Sequence, residues 1–98
     1  MKNNEASKRK LSKEDSFSEA MRTRIKRLYK EKDYSLSELT RVSGIPYSTL
    51  NSFMNRQSNS ITVSTLDKIC KGLGITLADF FDDDELFHKF GPKDYKVL

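Results

Sequence analysis

Residues 34–56, YSLSELTRVSGIPYSTLNSFMNR, carry two short amphipathic helices and the turn between them. The apolar positions Leu39, Val42, Ile45, Leu50 and Phe53 fall at helical spacings that break near Gly44, which suits two helices better than one long helix or a strand. The break has a local cause. Gly44 can take the positive φ that ends a helix, and Pro46 pushes Ile45 out of the helical region while suiting the start of the next helix. Ser35 with Glu38 three positions on forms a capping box, which fixes where the first helix begins.

On a wheel of about 100° per residue, the second helix turns Leu50 and Phe53 to one side. Ser48, Asn51, Ser52 and Asn55 lie on the other, with Tyr47, Thr49 and Met54 flanking. Solvated helix faces favour long charged side chains, so an outward row of Ser and Asn departs from propensity, and such departures mark sites. Short hydroxyl and amide groups both donate and accept, as the base edges of a DNA major groove require, and a helix-turn-helix pair presents its second helix there. Tyr47, Ser48, Asn51 and Ser52 are therefore the expected base-reading residues.

From about Phe17 to Phe81 the chain resembles the helix-turn-helix domain of the Xre, Cro and lambda-repressor family. The resemblance rests on Ser35, Leu39, Gly44, Ile45, Ser48, Thr49, Leu50, Phe53 and Asn55, then Leu66, Ile69, Leu73 and Ile75, and Leu77 through Phe81. It implies an all-α fold, a compact five-helix domain that binds double-stranded DNA as a homodimer on a palindromic operator. It also implies phosphate contacts from Ser35, Ser37, Thr49, Asn55, Arg56 and Lys26. Three positions depart from the family pattern: Leu36 stands where many members carry a phosphate-touching Gln, Thr40 replaces a small Ala, and Arg56 replaces a frequent Gly.

With 98 residues the chain has room for one domain, 16–82, flanked by a basic N-terminal arm, 1–15, and an acidic and apolar tail, 83–98. Residues 1–34 hold eleven Lys and Arg against six Asp and Glu (+5), residues 35–72 four against two (+2), and residues 73–98 three against six (−3). Positive charge in the first half and negative charge at the far end suit a molecule with one side towards a polyanion. In the arm, Lys8, Arg9 and Lys10 cluster with Lys13. They serve as a mobile arm adding counterion-release affinity, as in lambda repressor, or as a solubilising tail.

A first helix is expected over 17–32, with a capping box at Ser16 and Glu19 and a buried stripe of Phe17, Met21, Ile25 and Leu28. Its other face, with Arg22, Arg24, Lys26, Arg27 and Lys30, reads as a solvated charge run or as phosphate contacts. Residues 57–60 form a polar loop. A fourth helix starts at the cap Thr62, turns Val63, Leu66, Ile69, Cys70 and Leu73 inward, and ends at Gly72 and Gly74. The last begins at Thr76 with Asp79 as box partner, and Leu77, Phe80 and Phe81 close the core. The acidic run 82–85 should face away from a duplex. Beyond it Leu86, Phe87, Phe90, Tyr95, Val97 and Leu98 either pack on their own domain or form a two-fold contact.

A single cysteine, Cys70, excludes an internal disulfide and reads as a small core thiol, and the lone His88 as a surface residue. No catalytic residue, metal cluster, cofactor motif or small-molecule ligand is implied, and no apolar run is long enough to span a membrane. The expected protein is a cytoplasmic DNA-binding regulator, a small repressor of phage or mobile-element type. The alternative is the same fold used as a protein-binding module, an antitoxin or an inhibitor.

Overall fold

The structure, a computed structural model, describes residues 13–84 and 86. It is all-α among the described residues: α1 (Lys13–Glu31), α2 (Leu36–Ser43), α3 (Tyr47–Met54), α4 (Val63–Leu73) and α5 (Leu77–Phe81). The five-helix expectation holds, with α1 beginning four residues earlier than the periodicity indicated. Ser16 thus lies inside the helix instead of capping it, and Glu19 is released for other partners. The helix stops at Glu31, and two residues on Asp33 takes φ 61° while Tyr34 donates back to the Tyr29 carbonyl at 3.0 Å. Aspartate is among the few side chains that tolerate this left-handed conformation.

The central pair forms as its turn chemistry requires. The Ser35 hydroxyl accepts from the Glu38 N–H at 3.1 Å, and the Glu38 carboxylate accepts from the Ser35 N–H at 2.8 Å. Gly44 at φ 69° closes α2, and the Ile45 N–H reaches back to the Thr40 carbonyl at 3.1 Å. Pro46 is the N-cap of α3, with φ −61° and ψ 137°. Downstream, Thr62 caps α4 by accepting from the Thr65 N–H, Gly74 at φ 76° ends it, and Thr76 with Asp79 forms a second reciprocal box.

One core gathers a stripe from every helix: Met21 and Ile25 of α1, Leu39 of α2, Leu50 and Phe53 of α3, Leu66, Ile69, Cys70 and Leu73 of α4, and Phe80 of α5. Each fully buried Leu, Ile or Phe contributes about 1.5–3 kcal/mol, so the five at 0 % exposure dominate stability. Leu86 joins the core too, so at that residue the tail packs on its own domain; the other apolar tail residues and His88 lie outside the described residues.

Four expectations about packing need correction. Val63, at the first position of α4, is 72 % exposed. Val42 and Phe81 are each 36 % exposed; Phe81 offers its ring edge-on to the buried Phe80, with centroids 5.1 Å apart. Gly72 does not end α4 but lies within it, where a Cβ would run into the Ser43 hydroxyl and sit 3.1 Å from the Ser43 Cα and N. It is there to let α2 and α4 approach closely. Finally, the basic positions of α1 are a solvated face only in part: Lys26 and Lys30 are exposed, but Arg22 is 4 % exposed, and Arg24 and Arg27 are bound to the chain around α5.

Candidate nucleic-acid interface

The wheel is reproduced in α3. Leu50 and Phe53 are sealed in the core at 0 % and 2 %, while Ser48 and Thr49 are exposed, Tyr47 is 49 % exposed, and Asn51 and Ser52 are half-buried. The outward residues do not drift independently. Asn55 donates through its amide to Asn51 Oδ1 at 3.0 Å, and the Ser52 hydroxyl faces Gln57 Oε1 at 3.4 Å. Leu50 and Phe53 fix the rotation of α3, and these contacts tie the outer row to the residues that follow it. No side chain caps α3 and none of its residues is charged, so the positive end of its dipole is left to the solvent side.

Of the residues expected at phosphates, Lys26, Asn55 and Arg56 come together. With Glu19, Thr23 and Leu36 they line an open groove of about 330 Å³ between α1 and the exit of α3. Leu36 gives that groove an apolar wall. Ser35, Ser37 and Thr49 are exposed but do not line it. Ser35 is engaged in the α2 cap, and the Ser37 carbonyl accepts from the Thr40 hydroxyl at 2.8 Å. That bond lets Thr40, the unusual residue of α2, stand 5 % exposed without an unpaired hydroxyl.

The exit of α3 is built by Arg22 and by Ser18, a residue the sequence does not single out. Arg22, expected on a solvated face, is buried beneath this loop: Nε donates to the Phe53 carbonyl at 2.5 Å, and Nη2 to the Ser58 carbonyl at 2.9 Å and Asn59 Oδ1 at 2.7 Å. Its guanidinium carbon lies 4.6 Å from the centre of the Phe53 ring. Ser18 adds a bond from its hydroxyl to the Asn59 carbonyl at 2.7 Å. Ser18, Arg22, Ile25 and Tyr29 repeat at helical spacing and are all buried; this second row beside the apolar stripe was the available signal.

Arg56 adopts φ 67°, the conformation for which the family's Gly is suited, and its side chain turns back to Glu19. Nε meets Glu19 Oε2 at 2.5 Å and Nη2 meets Oε1 at 2.7 Å, while Arg22 Nη1 donates to the same Oε2 at 2.8 Å. The Arg56 hydrogen bond, against the opposing effect of burial and with the charges of Arg56 and Arg22, holds the Glu19 carboxyl below its ordinary range. Glu19 is therefore a fixed anion at the edge of the groove.

Lys8, Arg9 and Lys10 lie outside the described residues. Among the described residues, no group of three or more His, Cys, Asp or Glu is placed to hold a metal ion, and no helix is long and apolar enough to cross a membrane. Cys70 is 1 % exposed and burial, helped by Asp67, pushes its thiol up, so it is an inert core group. A family model described as a Cro/C1-type HTH DNA-binding domain matches residues 24–85, from the middle of α1 to just past α5. No curated protein and no solved structure matches the chain significantly.

Proposed function

Because the chain belongs to the Cro/C1-type helix-turn-helix DNA-binding family, we propose that it is a sequence-specific transcriptional regulator that reads the major groove with α3. The observation that carries this is the row of uncharged hydrogen-bonding groups turned outward from α3, over a core that clamps its other face. Tyr47, Ser48, Asn51 and Ser52 meet base edges. Lys26, Asn55 and Arg56 in the groove, together with the exposed Ser35, Ser37 and Thr49 outside it, set the register on the phosphates. A homodimer places two such helices in successive major grooves about 34 Å apart, on a palindromic operator, and represses by occluding a promoter.

Replacing Ser48 and Asn51 together with Glu tests the reading. Surface changes cost under about 0.5 kcal/mol, so the midpoint of thermal unfolding should shift by only about 2–4 °C. Duplex binding should vanish, because two carboxylates then face the bases and phosphates. Retained binding to an operator selected from a random duplex pool would overturn the base-reading assignment. An enriched palindrome in that pool would support the dimer; an asymmetric site would exclude it.

One observation favours a second reading, a protein-binding module: Leu36 lines the groove and α3 carries no Lys or Arg. Wild-type protein that binds no duplex at about 50 mM salt, where phosphate contacts are strongest, would select that reading.

A further inference from the structure

Arg56 is the exposed cation at the exit of α3, and it is already engaged by a carboxylate of its own chain. Glu19 presents two oxygens to Nε and Nη2 at 2.5 and 2.7 Å, the fork geometry a phosphate would offer. The pair sits on the rim of the groove that also holds Lys26 and Asn55. Glu19 is two-thirds buried and held from behind by Arg22, whereas the Arg56 side chain is 61 % exposed. The mobile partner is thus the arginine. Its release does not strand the carboxylate, because Arg22 Nη1 stays 2.8 Å away. A pair this exposed is weak enough to exchange for another anion.

We propose that Glu19 is an affinity-limiting residue: its carboxylate occupies the Arg56 guanidinium in the free protein, and a DNA phosphate reaches Arg56 only by displacing it. This rests on the duplex-binding role proposed above. Glu19 then acts as an internal competitor that keeps non-specific affinity low, since a phosphate gains Arg56 only where the rest of the register is right.

Four proteins test it: wild type, Glu19→Gln, Arg56→Gln and the double variant. Each is titrated against a mixed-sequence duplex of about 20 base pairs between about 50 and 200 mM KCl. Glu19→Gln should bind several-fold more tightly at the low end and steepen the dependence of log K on log salt by about 0.9, the signature of one added phosphate contact. In the Arg56→Gln background the same change should leave the slope unaltered. An equal change in both backgrounds means only that a negative charge was removed, and overturns the proposal. So does weaker binding by Glu19→Gln with an unchanged thermal midpoint, which makes Glu19 a strut that positions Arg56 for contact. A wild type that binds no duplex at any salt removes the duplex-binding role itself, and this proposal with it.

Discussion

At the scale of single residues, the contact between α2 and α4 is the most exacting in the molecule. Ser43 is 8 % exposed and its hydroxyl oxygen is buried without a hydrogen-bond partner, directly beneath Gly72. Ser43→Ala removes an unsatisfied polar group and favours the helix, so it should stabilise the fold by about 1 kcal/mol and raise the thermal midpoint by about 4–8 °C. Gly72→Ala sets two effects against each other. Ala in place of Gly gains about 1 kcal/mol within a helix, but overpacking costs about 1–3 kcal/mol. The new methyl would press on Ser43 backbone atoms as well as its hydroxyl, so overpacking should win and the midpoint should fall. Arg22→Ala belongs to the same scale: it takes the side-chain donor from the Phe53 and Ser58 carbonyls and empties a buried site, and should cost about 3 kcal/mol or more, seen as a lower urea midpoint at unchanged slope.

Element boundaries follow caps, and caps are local chemistry. Thr62→Ala removes the acceptor for the Thr65 N–H and should cost about 1 kcal/mol by thermal unfolding. Duplex affinity of the folded variant should be unchanged, since Thr62 lies outside the groove and outside α3. The same locality explains what could be read from the sequence. Ser35 with Glu38, Thr76 with Asp79, Gly44 and Gly74 are each settled within four residues, and so are the starts and ends of α2, α4 and α5. The inward pair Leu50 and Phe53 needed only helical period. The sequence misleads where the decisive partner is distant. Glu19 pairs with Arg22 three residues on, and equally with Arg56 thirty-seven residues away. Val63 sits on the apolar stripe by period and yet stays 72 % exposed. Gly72 looks like a stop signal until Ser43 is seen against it. Charge runs are poor guides for the same reason: a row of arginines has identical spacing whether it faces water or buried carbonyls.

Across the whole molecule, α1 works as a strut that fastens both ends of the remaining chain. Near its middle Arg22 holds the exit of α3; further along, Arg24 donates to the Phe80 and Asp79 carbonyls at 2.9 Å each, and Arg27 to Asp83 at 2.8 Å. Asp83, 10 % exposed in its side chain, also lies 3.5 Å from Arg24, so two guanidinium groups share one carboxylate. The acidic run is used, through Asp83, to neutralise α1 and to seat Leu86 in the core. Burial pushes the Asp83 carboxyl up, but the Arg27 hydrogen bond and charge, the Arg24 charge and the Leu86 N–H outweigh it and leave it below its ordinary 3.8. A carboxyl depressed on folding adds stability above its unfolded value, and that stability is lost as pH falls through the folded one. Asp83→Asn should therefore be less stable than wild type in urea at pH 7 and pH 5 by the same margin, with the two proteins converging as pH drops below 3.8. A margin that persisted undiminished into stronger acid would mean that Asp83 holds α1 by shape alone, and that Arg24 and Arg27 draw nothing from its charge.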